Sequence, residues 1–241
     1  MHNEIIDVTD LSKSFGKKEV LKKISFHVDK GEIFGLLGPS GSGKTTLVKC
    51  LIGMETPTTG TIHVLNTKVP NLDLTMKIGF MAQSDALYTD LTAYENVDFF
   101  ASLYGLKGQY KKERIEYVLS IVNLLNDRKK KIHQYSGGMK RRLSLAISLL
   151  HDPDVLILDE PTVGIDPILR KSIWEELERM RLNGTTIVVT THVMDEAEKC
   201  TKLGMIRDGH LIAIGTPNEL KDRVSVTSIE EAFLTYGGVS Q

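Results

Sequence analysis

The sequence has few cysteines and no long apolar run, and both absences restrict what the chain can be. Cys50 and Cys200 are the only cysteines among 241 residues. They are too few for a disulfide framework, so a reducing compartment is expected. The longest apolar stretches, such as residues 143–150, are far shorter than the roughly 18 residues of a membrane-spanning helix. Residues 1–4 also lack the basic flank of a signal peptide. We therefore expect a soluble chain that reaches a membrane only through a partner.

An excess of charge of one sign is also missing. Lys and Arg total 30 and Asp and Glu total 31, which gives a formal net charge of -1. Nucleic-acid-binding proteins carry a broad basic field, so this composition argues against that class and leaves only a local basic patch open. The length suits one large domain or two tightly joined lobes, and the 41% of apolar residues is ordinary for a globular protein.

The order of predicted elements indicates an α/β core with a helical insertion. Residues 4–37 read as short strands, and a glycine-rich loop and a helix over residues 44–52 follow. The segment 92–150 reads as helical, because it opens with the capping box Thr92-Ala-Tyr-Glu95 and carries apolar residues at helical spacing. Strands then alternate with helices, which predicts a largely parallel sheet. We expect a core of residues 1–83 and 151–241 and a helical subdomain at about 84–150.

Further elements are predicted from turn and cap signals. Asp166-Pro167 is an N-cap followed by proline at the first helical position, and Ser228 begins another capping box. His27, His151 and Met54 have no context that points to a site, so we interpret them as structural. The predicted strands are 61–65, 78–82, 155–158, 185–190, 203–207 and 210–214, and a helix is predicted at 111–125.

Residues 38–45 fit the phosphate-loop pattern G-x-x-x-x-G-K-[ST] in full. Glycines allow several backbone N–H groups to point into one concavity, and the following helix adds its positive dipole end. Lys44 places a cation on bound phosphates, and the Thr45 hydroxyl is a ligand for Mg²⁺. The motif lies between a predicted buried strand and a predicted helix, as this function requires. The predicted phosphate-binding residues are Gly38, Pro39, Ser40, Gly41, Ser42, Gly43, Lys44, Thr45 and Thr46.

Two carboxylates follow the predicted buried strand at 155–158. Asp159 and Glu160 therefore lie at the carboxyl edge of the sheet, where ligands bind in open α/β folds. Asp159 is a candidate ligand for Mg²⁺, and Glu160 is a candidate to accept a proton from an attacking water or to orient that water. An acidic loop beside a helix N-terminus is the alternative interpretation of the pair.

Together with Tyr135-Ser136-Gly137-Gly138-Met139, these motifs make the chain similar to the ATP-binding-cassette (ABC) ATPases over residues 4–235. The family's signature is usually Leu-Ser-Gly-Gly-Gln, so Tyr135 and Met139 depart from it. A serine cap and two glycines at a helix start also bind anions well in their own right. The resemblance implies that Ser136, Gly137 and Gly138 contact the γ-phosphate of ATP held by a second copy.

The resemblance assigns roles to four more residues. Gln83 resembles the glutamine that senses Mg²⁺ and water, and His192 resembles the switch histidine at the γ-phosphate. Asp166 resembles the aspartate of the dimer-contact loop, although it also reads as a helix N-cap. Phe15 resembles the aromatic residue that stacks on adenine, and an apolar strand residue is the alternative. The implied catalytic residues are thus Lys44, Gln83, Glu160 and His192, with Mg²⁺ held by Thr45, Gln83 and Asp159.

The resemblance also implies a fold and an activity. The fold is a phosphate-loop NTPase core with a mainly parallel sheet, an N-terminal antiparallel β subdomain and an inserted helical subdomain. The activity is ATP hydrolysis with Mg²⁺, coupled to closure of a homodimer that powers a separate transmembrane permease. This places the chain peripherally on the cytoplasmic face of the cell membrane, with its permease groove at residues 83–104.

Details such as Tyr-Ser-Gly-Gly-Met-Lys-Arg-Arg resemble the branch that exports drugs, antibiotics, lipids or sodium. Two alternatives stay open from the sequence alone. Some relatives act on ribosomes or DNA, but those usually carry two cassettes or a long coiled coil, and this chain has neither. The other alternative is a scaffold that binds nucleotide without hydrolysing it, which Glu160 and His192 argue against.

Overall fold

Ten strands and eight α-helices lie within residues 4–238, the part of the chain that the computed structural model describes. In chain order they are β1 (Glu4–Phe15), β2 (Lys18–Asp29), β3 (Ile33–Leu37), α1 (Lys44–Leu51), β4 (Thr59–Val64), β5 (Thr67–Lys68), β6 (Ile78–Met81), α2 (Ala93–Leu103), α3 (Gly108–Ile121), α4 (Gly137–Ser148), β7 (Val155–Asp159), α5 (Pro167–Leu182), β8 (Thr186–Thr191), α6 (Met194–Ala197), β9 (Lys202–Arg207), β10 (His210–Gly215), α7 (Pro217–Arg223) and α8 (Ile229–Tyr236). Two short 3₁₀ helices lie at Leu72–Met76 and Ile132–Gln134.

The strands form two sheets. An antiparallel sheet has the order β2-β1-β4-β5, and a six-stranded sheet has the order β10-β9-β3-β8-β7-β6. In the second sheet only β10 is antiparallel to its neighbour. The predicted largely parallel sheet and the antiparallel N-terminal subdomain are therefore confirmed.

The six-stranded sheet separates two hydrophobic cores. Successive residues of a strand point to opposite faces, so Phe34 and Leu36 pack on one side while Ile33 and Leu37 pack on the other. The first side faces α1 and the antiparallel sheet, and the second faces α2–α4 and α5. Both faces are covered, as parallel sheets require, which explains why β3, β7 and β8 read as unbroken apolar or β-branched runs.

The prediction of several short strands in residues 4–37 is wrong for the first two strands. Strands β1 and β2 are each 12 residues long. Their pairing is interrupted by register shifts, and Asp10 and Lys23 have left-handed φ angles of 47°. Because each bulge shifts the inward-outward alternation by one residue, the sequence pattern restarts and resembles a series of shorter strands.

The helical insertion contains α2, α3 and α4, between β6 and β7. Helix α2 begins at the predicted capping box, in which Thr92 and Glu95 each accept a hydrogen bond from the other's backbone N–H. Helix α3 was expected at 111–125 but ends at Ile121, since Asn123 adopts φ 51° and so stops the helix. The buried side chains of these helices are continuous with one face of the sheet. The division into separate core and helical subdomains stays a prediction.

Most other predicted elements are confirmed to within two residues. The N-caps at Asp166 and Ser228 are formed, and β9 and β10 make the predicted terminal hairpin. Two helices were missed. Helix α6 has only four residues, and α7 begins with an overlooked capping box made by Thr216 and Glu219. Across residues 4–238, no helix has both the length and the apolar character needed to cross a bilayer.

His151 follows α4 and stacks on Tyr104, with the ring centroids 3.8 Å apart. Burial, with a smaller contribution from the charge of Arg114, lowers the pKa of His151 to about 4. The His151 side chain therefore binds a proton near pH 6.5 in the unfolded chain but only near pH 4 in the folded protein. Folding stability contributed by neutral His151 is complete above pH 6.5 and is lost as the pH falls through this window.

We predict that His151→Phe flattens the loss of stability between pH 6.5 and pH 4, because the ring still stacks but no longer titrates. The wild-type loss assigned to His151 is at most about 3 kcal/mol. Urea unfolding at several pH values measures it. The matched control is His210→Gln at an exposed histidine, which should leave the slope unchanged. If the slope of unfolding free energy against pH is the same in His151→Phe as in the wild type, His151 is not the source of the acid sensitivity.

Candidate functional site

The phosphate loop, residues 38–46, joins the end of β3 to α1, and two of its glycines have no substitute. A Cβ at Gly38 would lie 2.2 Å from the carbonyl oxygen of Ile206. Gly43 has a left-handed φ of 110°, and a Cβ there would lie 2.7 Å from Leu21. Any larger residue would therefore displace the loop, so the glycine pattern follows from close backbone packing and φ rather than from general flexibility.

Lys44 begins α1 and is turned back over the loop. Its ammonium donates to the carbonyl oxygens of Gly38, at 2.7 Å, and Pro39, at 3.1 Å. It also lies 3.8 Å from Oε1 of Glu160. Burial lowers the pKa of Lys44, and the negative charges of Glu160 and Asp159 oppose this shift. The Lys44 side chain is only 5% exposed, so an anion that enters here would meet a largely desolvated cation.

Asp159 is the last residue of β7 and Glu160 follows it, as predicted. Asp159 pairs with Thr190 of the neighbouring strand β8. The Thr190 hydroxyl donates to Oδ1 of Asp159 at 2.5 Å and accepts from the backbone N–H of Glu160 at 2.9 Å. Asp159 is 1% exposed. One threonine therefore fixes both the buried carboxylate and the main chain of the next residue.

Glu160 has a left-handed φ of 53°, a conformation that costs free energy for a residue other than glycine. Contacts with neighbouring residues maintain this backbone conformation. The conformation directs the Glu160 carboxylate into the site. Its Oε1 lies 3.1 Å from Nδ1 of His192, the first residue after β8. The strand ends of β3, β7 and β8 thus bring Lys44, Glu160 and His192 together.

A cavity of about 260 Å³ opens over the phosphate loop. Gln83 and Glu160 line it opposite Lys44, so residues from three separate predicted motifs share one space. The full lining is Val20, Ser40, Gly41, Gly43, Lys44, Thr45, Thr46, Gln83 and Glu160. Thr45, Gln83 and Asp159 supply a hydroxyl, an amide and one carboxylate. Oxygen donors with a single carboxylate fit Mg²⁺ that is also bound to substrate phosphates.

Ten predicted site residues lie outside this lining: Gly38, Pro39 and Ser42 of the loop itself, Asp159 and His192 at the adjacent strand ends, and Phe15, Ser136, Gly137, Gly138 and Asp166 elsewhere. The Phe15 ring is 47% exposed at the end of β1, with the Lys13 ammonium 4.7 Å from its centroid. Ser136 caps α4 and accepts from the backbone N–H of Met139. Asp166 caps α5 and accepts from the backbone N–H of Leu169 at 3.0 Å. The signature segment, residues 135–139, lies beside the loop 163–166, since a Cβ on Gly138 would be 3.1 Å from the Gly164 carbonyl oxygen.

The two departures from the family's signature are packed inward. Tyr135 is 5% exposed, and its hydroxyl donates to the carbonyl oxygen of Asp127 at 2.9 Å. Burial and the nearby Asp127 raise the pKa of Tyr135 to about 12. Met139 packs against the core of the helical insertion. Ser136 and Gly137, between these two residues, are exposed.

Two buried charged residues that support the site were not identified in the sequence analysis. Glu196 is 3% exposed and accepts hydrogen bonds from Thr162 and, at 2.7 Å, from Thr191. It therefore links the loop after Glu160 to the end of β8. Arg141, on α4, donates to main-chain carbonyls on both sides of the site. Neither residue was assigned a role from the sequence, although Arg141 lies in the segment Tyr-Ser-Gly-Gly-Met-Lys-Arg-Arg, because the partners of both residues are distant in sequence.

Comparison with known proteins agrees with this geometry. Residues 21–163 match the family described as ABC transporter. The chain is 41% identical to the linearmycin resistance ATP-binding protein LnrL of Bacillus subtilis, covering 95% of this chain and 78% of LnrL. It is 40% identical to the probable multidrug ABC transporter ATP-binding protein YbhF of Escherichia coli over 95% of this chain, but it spans only 41% of YbhF.

Solved structures give the same result. The structure of an ATP-binding subunit of an ABC transporter superposes with a TM-score of 0.90 and 26% identity, covering 97% of this chain and 99% of that one. A dimeric post-hydrolysis state of the cassette MJ0796, bound to ADP and Pi, has a TM-score of 0.81 and 27% identity, covering 88% and 98%.

The chain belongs to the ABC transporter family. This confirms the predicted family and the predicted fold class. YbhF and the first of these solved structures are described as parts of ABC transporters, and none of the proteins named above is described as acting on ribosomes or DNA. The roles of individual residues stay predictions.

We predict that Lys44→Ala weakens ATP binding by about 10- to 100-fold, the effect expected from losing a charge-assisted hydrogen bond to phosphate. Calorimetric titration with ATP measures it. The matched control is Lys49→Ala, on the last turn of the same helix. That variant should bind ATP with unaltered affinity. Equal affinities for wild type and Lys44→Ala would contradict the assignment of Lys44.

Proposed function

We propose that this chain hydrolyses ATP to power an export transporter, with Glu160 acting on the attacking water. The observation that carries the proposal is the position of the Glu160 carboxylate. It lies at the cavity over the phosphate loop, 3.8 Å from the Lys44 ammonium and 3.1 Å from the His192 ring. A carboxylate held between two potential cations at such a cavity suits a group that takes or directs a proton beside bound phosphate.

Each residue has a separate task in this proposal. Loop amides and Lys44 bind the phosphates, and Lys44 exchanges its own loop carbonyls for phosphate oxygens. Glu160 orients water in line with the γ-phosphate, while His192 holds the carboxylate and contacts the phosphate. Mg²⁺, when bound, supplies positive charge that offsets developing charge on the phosphate oxygens. Thr45, Gln83 and Asp159 would hold it.

We further propose that two copies face each other in the ATP-bound state. Ser136, Gly137 and Gly138 lie at the start of α4, outside the cavity lining of their own chain, and in this proposal a second copy supplies them. The cassette MJ0796, similar to this chain, forms a dimer after hydrolysis. ATP bound at both sites stabilises the closed form as a ligand of that state, and loss of the γ-phosphate releases it.

The permease groove is assigned to residues 83–104, where apolar side chains are exposed on the helical insertion. Tyr88 is 50% exposed and packs edge-to-face on Phe99, with centroids 4.9 Å apart. Phe99 and Leu103 are 42% and 65% exposed. Within the same segment, Ala86 is also exposed, while Leu87 and Leu91 are half-buried. A clustered aromatic surface of this kind marks a protein contact.

The direction of transport and the location rest on relatives. LnrL is named for linearmycin resistance and YbhF as a probable multidrug transporter protein, and both names fit export. A permease on a separate chain would place this subunit peripherally at the cytoplasmic face of the membrane, where ATP is available.

We predict that Glu160→Gln lowers ATP turnover by about 10²- to 10⁴-fold while ATP still binds, since the amide keeps the size of the side chain but cannot take a proton. Steady-state phosphate release and ATP titration measure the two effects. Glu175→Gln, at an exposed glutamate of α5, is the control with wild-type turnover. Wild-type turnover in Glu160→Gln would remove Glu160 from the role, and a wild type without ATP hydrolysis would favour the scaffold alternative.

We predict that the double variant Tyr88→Ala, Phe99→Ala reduces co-purification with its permease about tenfold or more, because buried aromatic anchors dominate such interfaces. ATP binding should be unchanged. Leu182→Ala and Leu72→Ala, at exposed leucines elsewhere, are the controls. Full recovery of the complex with the aromatic double variant would place the permease contact on another surface.

A further inference from the structure

Arg141 is a buried arginine on α4, five residues after the signature serine Ser136, and it is 7% exposed. Its Nη1 donates to the carbonyl oxygens of Ala82 and Gln83, at 2.6 and 2.8 Å. Its Nη2 donates to the carbonyl oxygens of Asp159 and Glu160, the latter at 2.7 Å. All four terminal N–H groups of the guanidinium thus serve the main chain around Gln83 and Glu160.

The four carbonyl oxygens that accept from Arg141 converge on one place, so they require a donor whose N–H groups have a matching planar arrangement. Oxygens of two separate loops point at one place, and unsatisfied or mutually facing carbonyl dipoles are unfavourable when buried. The planar fork of a guanidinium supplies N–H groups in fixed directions, which a flexible ammonium does not. Helix α4 also holds the loop after β6, which contains Gln83, by a further hydrogen bond. The Ser144 hydroxyl donates to Oδ1 of Asp85 in this loop at 2.8 Å.

Glu160 gains the most from this arrangement. Its left-handed backbone persists only if the peptides on both sides are held. The Thr190 hydroxyl accepts a hydrogen bond from the N–H of Glu160, and Arg141 donates to the carbonyl oxygens of Glu160 and Asp159. The direction of the carboxylate toward His192 follows from this backbone geometry.

We propose that Arg141 is a positioning residue for ATP hydrolysis, which holds the main chain of Gln83 and Glu160 in register with the helix that begins at the signature segment. This inference rests on the proposed role of Glu160. It ties the loop that would contact ATP of the second copy to the catalytic residues of its own chain. A shift of α4 therefore moves Gln83 and Glu160 together.

The test is a double-mutant cycle between Arg141→Met and Glu160→Gln, read by steady-state hydrolysis of ATP. Arg141→Met alone should lower kcat by about 10- to 100-fold, the effect of a small misplacement of a catalytic group, with KM for ATP changed less than about threefold. In the Glu160→Gln background the same substitution should have an effect of about threefold or less, because the group that it positions has already been lost.

The matched control is Arg142→Met. Arg142 also donates to main-chain carbonyls, but to Val122 and Asn123 within the helical insertion. It should lower thermal stability while turnover per folded molecule stays within about twofold. Arg141→Lys keeps the charge without the planar fork and should recover only part of kcat. If Arg141→Met does not fold, Arg141→Lys takes its place in the cycle.

Wild-type kcat in a folded Arg141 variant would overturn the inference. It would also be overturned if Arg141→Met lowered kcat by the same factor in the wild type and in Glu160→Gln, because the effect would then be independent of Glu160. A raised KM with unchanged kcat would also overturn it, because it marks a binding role. These outcomes are separate from failure of the proposed function, which would appear as full turnover in Glu160→Gln alone.

Discussion

The parallel pairing of β3, β7 and β8 places their carboxyl ends side by side, and the site depends on that alignment. Leu37 pairs with Thr191, and Asp159 pairs with Thr190. The next residues of the three strands therefore lead into the phosphate loop, to Glu160 and to His192. A change of register by one residue would turn Asp159 away from Thr190 and move buried strand residues to the wrong core. Packing of the two cores thus sets the geometry of the catalytic groups.

The charges of the site are held in a largely desolvated place. Lys44 and Asp159 are almost fully buried, and each has hydrogen-bond partners that offset the loss of water. The partners of Lys44 are carbonyls of its own loop, which phosphate oxygens with their greater charge can replace. The partner of Asp159 leaves its other carboxylate oxygen for a different ligand. In the function we propose, this arrangement suits an anion and a cation that arrive together.

Local signals account for what the sequence predicted. The phosphate loop, the capping boxes at Thr92 and Ser228 and the acidic pair after β7 are each set by neighbours within a few residues. The long strands β1 and β2 were misjudged because their bulges depend on cross-strand pairing. Arg141 looked like one member of the basic run 140–142, and only the tertiary fold shows that it, rather than Lys140, reaches the buried carbonyls.

The most direct test of the account is a crystal structure with a non-hydrolysable ATP analogue and Mg²⁺. We expect the β- and γ-phosphates against the amides of residues 38–46, with Lys44 turned from Gly38 toward them. Ser136 of a second copy should contact the γ-phosphate. Nucleotide bound elsewhere, with the phosphate loop empty and Lys44 still on its own carbonyls, would contradict the account.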